Sequence, residues 1–362
     1  MKAFFRNIPL LVVTALSTAS LVGPAAAQDE HAHHMHGGAP EMDADGKRDP
    51  GKMDHSLTPE QLADLREKIA LYRALTDREA ELNMAMMGPN YEWYVSDASV
   101  KGDVGVLVLA HGVGDNSDRL FHDSLKPMAS ARPTAISFGM AMMMSSHIQS
   151  SVDDLAAAGA KTIVLVPTAT TRYNSLTRQW EYVFGMRDDS SYLDVPRVNT
   201  DANVIMTSHF EDHPLMTEIL LDYAREKSTN PANETVIIVG HGPEDIEDNI
   251  LDLELQQAHA DRLKAEGGFA DVKIINLQDD AYPPIRAANV KKLRRWVSSA
   301  ERSGNTVIVV VATAASFGVQ QKIIEDLRGL NYIFADKGFA EHPNYQLWIA
   351  VAVDERLMAE AQ

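Results

Sequence analysis

The feature that most constrains this chain is a series of short, continuously apolar, β-branched segments separated by helix-patterned stretches. The segments cover residues 104–109, 162–166, 204–206, 235–239, 272–275 and 306–311, and helical patterns such as 151–158, 215–226 and 250–265 lie between them. Strands joined by helices must run parallel, and a parallel sheet is covered on both faces, so its strands read as unbroken apolar runs rather than alternating ones. The expected fold class is therefore α/β, with flavodoxin- or Rossmann-like parallel sheets flanked by helices.

Part of the pattern repeats. Val106-Leu-Val-Leu-Ala-His111-Gly112 returns 130 residues later as Val236-Ile-Ile-Val-Gly-His241-Gly242. Ile163-Val-Leu-Val-Pro-Thr168-Ala169 is echoed 145 residues later by Ile308-Val-Val-Val-Ala-Thr313-Ala314. Two similar halves, 100–230 and 231–362, account for both echoes. In an open parallel sheet, ligands sit beyond the carboxyl ends of the strands. His111 and His241 fall there, where an imidazole can ligate a metal or exchange protons near neutral pH. Gly112 and Gly242 allow a tight turn and close approach of a bulky ligand to the backbone. Asp115, Glu244 and Asp245 follow in the same loops as candidate proton acceptors.

Leu107-Val-Leu-Ala-His111-Gly112, with Asp115 and Phe121 after it, resembles the opening motif of the class II chelatases, the sirohydrochlorin cobalto- and ferrochelatase group. Residues 155–167 resemble that family's second helix–strand unit, His213-Pro214-Leu215 its later His-Pro helix start, and residues 236–242 the second half of its long members. The resemblance spans about residues 104 to 350. It implies a lyase that inserts a divalent metal (Co, Fe or Ni) into a tetrapyrrole without ATP or any nucleotide. His111 would be the primary metal ligand and His241 its partner from the other half, with Glu244 and Asp115 as catalytic carboxylates. The family's further metal-binding His after the strand ending near Pro167 is absent, since that stretch reads Thr168-Ala-Thr-Thr-Arg172-Tyr173-Asn174. His209 and His342 are candidate substitutes, while His213, before Pro214, reads as a helix cap. A second reading is a non-catalytic periplasmic protein that binds metal or tetrapyrrole on the same scaffold. An α/β-hydrolase reading of Ala314-Ala-Ser316-Phe-Gly318 with Asp336 and His342 fails on the Ala at the first elbow position and on the short remaining chain.

Composition decides what such a scaffold can bind. The 362 residues carry 33 Lys+Arg against 51 Asp+Glu and no Cys. The charge of −18 excludes a general nucleic-acid binder. Without thiolates, any metal must be held by His, carboxylate, Met or backbone oxygen. A tetrapyrrole with several carboxylates needs local positive charge. Arg172 and Arg178 are the candidates for it, whereas Lys291-Lys292-Leu293-Arg294-Arg295 reads as a solvated helix face. The methionines at 84–87 and 140–144 read as core fillers.

The N-terminus, with Lys2 and Arg6 before an apolar run and then Pro24-Ala-Ala-Ala27, has the form of an export signal over 1–27. Export to a periplasm without a remaining membrane anchor is expected. Residues 28–56 are polar and His-rich, with His31, His33, His34 and His36 as an accessory metal-capturing group, and are expected to be disordered. Thr58-Pro-Glu-Gln61 signals a capped helix, and one helix is expected to continue to about Met87. This arm, 57–99, is expected to carry no chemistry and to pack on the main fold or on a second copy of the chain.

Overall fold

A computed structural model describes residues 40–51, 55–88, 90–211, 213–315 and 317–362. The export signal and His31, His33, His34 and His36 lie outside the described residues, as does Ser316. Ten strands form two sheets. They are β1 (Lys47–Arg48), β2 (Tyr91–Tyr94), β3 (Val104–Ala110), β4 (Thr134–Phe138), β5 (Thr162–Pro167), β6 (Asn203–Met206), β7 (Glu234–Gly240), β8 (Asp271–Asn276), β9 (Thr306–Ala312) and β10 (Ile333–Ala335). The first sheet has the order β1-β2-β4-β3-β5-β6 and the second β10-β9-β7-β8. Apart from the antiparallel edge made by β1 and β2, all pairings are parallel. Numbered within its own half, each set of four parallel strands has the order 2-1-3-4. The repeat seen in the sequence is thus a repeated doubly wound unit whose switch point lies between its first and third strands.

The third-strand echo needs one correction. Val106 pairs with Val164 in the first sheet, and Val236 pairs with Ile308 in the second. The structural offset is therefore 144, one less than the motif match gives. One residue is decisive in a strand because it exchanges the faces. Ile163 packs on the outer face of its sheet, whereas Ile308 belongs to the central core.

That central core is shared by both halves. Val106, Val108, Val164 and Val166 from the first sheet join Val236, Ile238, Ile308 and Val310 from the second. Two helices fill the space between them, Pro214–Lys227 and Pro343–Glu360. The first closes half one in the chain but packs on β9 and β10. The second closes half two but packs on β5. Separate outer cores lie beyond, formed around Ile148, Val152 and Trp180 on one side and Leu293, Val297 and Ile323 on the other.

The N-terminal arm differs from the expectation. Thr58 and Gln61 do form the capping box, but the helix stops at Lys68, and two shorter helices, Ala70–Ala74 and Asp77–Ala85, follow. The first break falls at Ile69, whose backbone is extended, and Thr76 and Glu79 make a second capping box that starts the third helix. Part of the stretch expected to be disordered is also ordered. Lys47 and Arg48 pair with Trp93 and Glu92, and Arg48 makes a two-pronged contact with Asp154 at 2.5 and 2.9 Å. Among the described residues no helix is long and apolar enough to cross a membrane.

Candidate functional site

β3 and β7 each end in His-Gly, and the two turns are alike in atomic detail. The His111 ring Nδ1 lies 2.5 Å from the Gly112 carbonyl oxygen, and the His241 Nδ1 lies 2.8 Å from that of Gly242. A carbonyl only accepts, so Nδ1 carries the proton in both rings and donates it, leaving Nε2 as the functional atom. Gly112 and Gly242 have φ of 82° and 76°, the left-handed region that the turn demands. At Gly242 a Cβ would lie 2.3 Å from the Asn276 Cβ, so its space is filled by the protein itself rather than held for a ligand. The first turn is clamped by Asp118, which the sequence reading missed. Its carboxylate accepts from the Val113 and Gly114 backbone N–H groups at 3.0 and 3.2 Å and from the Tyr91 hydroxyl at 2.6 Å.

The two imidazoles differ in what their Nε2 atoms meet. His241 Nε2 lies 3.3 Å from Asp280 Oδ2, in side chains that are 38% and 58% exposed. Burial works to lower His241, but the charge and hydrogen bond of Asp280, with Asp279 and the Gly242 carbonyl, push it up to about 9. Burial likewise works to raise Asp280, and the His241 charge and hydrogen bond, with Lys322 and His111, hold its carboxyl well below the usual range instead. The pairing favours an imidazolium–carboxylate, so a metal at His241 Nε2 would have to displace the proton held beside Asp280.

His111, by contrast, is exposed and lines a cavity of about 590 Å³. Glu244, Asp115 and Asp280 line the same cavity. Asp280 follows β8, and the repeat offers no prompt for it because half one has no carboxylate at the matching place. Glu244 accepts from Ser175 Oγ of half one. Burial, with Asp280 adding to it, raises the Glu244 carboxyl above its ordinary value, against the pull of a backbone hydrogen bond, Arg178 and His241. Asp115 opens the helix Asp115–Ser124 with an 89% exposed side chain, 3.5 Å from Lys47 Nζ.

Other candidates are placed elsewhere. Arg172 is held by Glu211, whose side chain is fully buried, and Arg178 makes a two-pronged pair with Asp248 at 2.6 and 2.7 Å. Neither arginine lines the cavity, and the second ties the two halves together. His342 accepts from the Asn344 N–H at 3.1 Å, as His213 does from the Leu215 N–H at 3.2 Å, so both cap the helix that begins at the following proline. His342 Nε2 faces Asp222 at 3.4 Å. His209 is buried away from the cavity. Among the described residues no group of three or more His, Asp or Glu is gathered so as to hold a metal ion.

The N-terminal arm, expected to be chemically silent, supplies part of the cavity wall through Tyr72, Met86 and Met87, and His55 joins them from the segment before it. Of the described residues that line the cavity, five are acidic and none is Lys or Arg.

No family profile matches the chain, and no curated protein matches its sequence. Among solved structures it is similar to SirB from Bacillus subtilis with Fe3+, at 15% identity and a TM-score of 0.54, over 72% of this chain and 98% of that one. It is also similar to a multi-domain protein from Deinococcus radiodurans described as having structural similarity to chelatases, at 18% identity and a TM-score of 0.43, over 69% of this chain and 55% of that one. The chain has an α/β fold on a chelatase-like scaffold.

Proposed function

We propose that this protein handles a divalent metal ion (Co, Fe or Ni) at His111 and inserts it into a tetrapyrrole, with the metal as substrate and no nucleotide. The observation that carries the reading is that His111 from one half and Glu244 and Asp280 from the other line one cavity at the carboxyl ends of the strands. Metal insertion must remove two pyrrole N–H protons. Glu244, raised above its ordinary value by burial, is a fitting acceptor for one, because a raised pKa makes a carboxylate the stronger base. His111 Nε2 delivers the metal and, once relieved of it, accepts the other. His241, raised by Asp280, serves by holding that carboxylate ionised beside the incoming cation.

Absorbance of sirohydrochlorin with Co2+, Fe2+ or Ni2+ tests this directly. The expected result is a rate above background that His111→Ala abolishes and Glu244→Gln lowers by about 100-fold or more. The acidic lining favours a second reading. With no Lys or Arg along the cavity, the carboxylates of a macrocycle find no cationic partner there. Saturable metal binding that is lost in His111→Ala, without any insertion rate, supports a metal-binding protein on the chelatase scaffold. Export to a periplasm, read from residues 1–27, belongs to the same proposal and is tested by fractionating cells that express the full chain.

A further inference from the structure

The two methionine clusters, read from the sequence as separate core fillers, reach the same cavity. Met84 and Met142 do pack in a small core with Leu65, Ile69 and Tyr72. Met87, Met140 and Met143 pack against that core while also lining the cavity, and Met144 and the 85% exposed Met86 line it too. Packing alone does not account for five partly open methionines, drawn from two segments some fifty residues apart, that line one cavity. His55 stands in the same wall, and its Nδ1 is buried without a hydrogen-bond partner among the described residues.

The repeat sharpens the point. The Gly139 N–H donates to the Ala110 carbonyl as the Leu277 N–H donates to that of Gly240, so these positions correspond. Counting on from them, half two presents Asp279-Asp280 where half one presents Ala141-Met142. One histidine turn therefore faces carboxylates, and the other faces a methionine-rich loop. Thioethers hold hard divalent cations poorly and soft monovalent ones well. The acidic lining attracts cations of either kind.

We propose that the wall formed by His55, Met86, Met87, Met140, Met143 and Met144 is a binding site for a soft monovalent metal cation, Cu(I). The proposal goes beyond metal insertion and does not depend on it, because the ion is bound without any macrocycle. The test uses the full chain with His31, His33, His34 and His36 changed to Ala, so that the N-terminal histidines do not contribute. Under anaerobic conditions with ascorbate, Cu(I) is offered as its bicinchoninate complex and the fall in that complex's absorbance is followed. The expected result is uptake of Cu(I), weakened on the order of tenfold or more in Met140→Leu/Met143→Leu and in Met86→Leu/Met87→Leu. Leu conserves volume closely enough to retain the fold, which an unchanged circular dichroism spectrum and thermal midpoint verify. Co2+ affinity, measured in parallel, is expected to be the same in parent and Leu variants. No uptake of Cu(I), or equal uptake in parent and Leu variants, overturns the proposal. So does equal loss of Cu(I) and Co2+ in the Leu variants, which marks a general packing defect. Sirohydrochlorin insertion, assayed separately, keeps this outcome distinct from the fate of the metal-insertion reading.

Discussion

His147 and Glu92 make a sharp prediction because they titrate in opposite senses, one on the helix Ser146–Ala157 and the other on the strand β2 it covers. His147 is 4% exposed and neither ring nitrogen has a hydrogen-bond partner among the described residues. Burial alone lowers it from 6.5 to about 3. The unfolded chain therefore binds a proton that the folded chain refuses, and stability falls as pH drops below 6.5. From pH 7 to pH 5 the loss is about 2 kcal/mol, at 1.36 kcal/mol per pKa unit. Glu92, 3% exposed on β2, is raised from 4.5 to about 7, chiefly by burial and against the pull of Arg48. Here the folded state holds the proton, so the contribution is fully present below pH 4.5 and lost as pH rises through 7. Over the same interval, acidification gains about 2 kcal/mol. The two terms offset each other, and the parent is expected to be nearly pH-independent with respect to this pair. Urea unfolding at pH 7 and pH 5 is the assay. His147→Leu should become relatively more stable at pH 5, Glu92→Gln relatively less, each by about 2 kcal/mol against the parent's own change. Parallel pH dependences in parent and His147→Leu would refute the claim that burial keeps this imidazole neutral.

Three further outcomes follow from the site. Asp280→Asn removes the main charge that holds His241 up, so the His241 midpoint, followed by proton NMR of the ring, should fall from about 9 to below it; an unchanged midpoint dismisses the pairing. Arg172→Met leaves the fully buried Glu211 carboxylate without its cation, and urea unfolding should show a loss of about 3 kcal/mol while His111-dependent metal affinity is unaltered. His342→Ala should cost about 1 kcal/mol through loss of a helix cap, again without changing metal affinity; a drop in metal affinity would return His342 to the list of ligands.

Most of the fold was legible because long apolar runs and a repeated motif carry their own geometry. Six of the ten strands lie where such runs occur. β4, whose sequence is Thr-Ala-Ile-Ser-Phe, escaped because small and hydroxyl residues break its apolar run, and β2, Tyr-Glu-Trp-Tyr, because it buries a carboxylate in an antiparallel edge. The His-Gly turns were legible as tight strand ends, since the same pair closes an apolar run in both halves. What their Nε2 atoms would meet was not. Asp280 has no counterpart in half one, so the repeat that revealed His241 was silent about its partner. Arg172 and Arg178 illustrate the converse: cations suited to a carboxylate ligand were placed in the right loops, but Glu211 and Asp248 come from other elements and take them first. The convergence of two methionine clusters depends on where the arm lies, which no local pattern encodes.

The same dependence on distant partners governs whether the halves exist separately. A repeat of two similar units invites the idea of two independent domains. The helix Pro214–Lys227, however, buries Met216, Ile219, Leu220, Leu221 and Tyr223 in a core that includes β9 and β10 of the other half, while β5 is covered by Pro343–Glu360. Five large apolar side chains are worth roughly 8 to 15 kcal/mol by transfer from water, an upper bound that equals the whole stability of an ordinary domain. Half one cut at residue 230 keeps its crossing helix but loses what that helix packs on, and half two loses the cover of β9. Neither fragment alone should then show a cooperative urea transition, and an equimolar mixture should regain one. A cooperative transition in the isolated fragment 1–230 would mean that the helix can fold back on its own sheet. The cleft would then be a hinge between two autonomous domains. If neither fragment folds alone, the pairing of Arg178 with Asp248 and of Ser175 with Glu244 spans a single cooperative unit, and His111 and Glu244 are held in register by the same core that folds the chain.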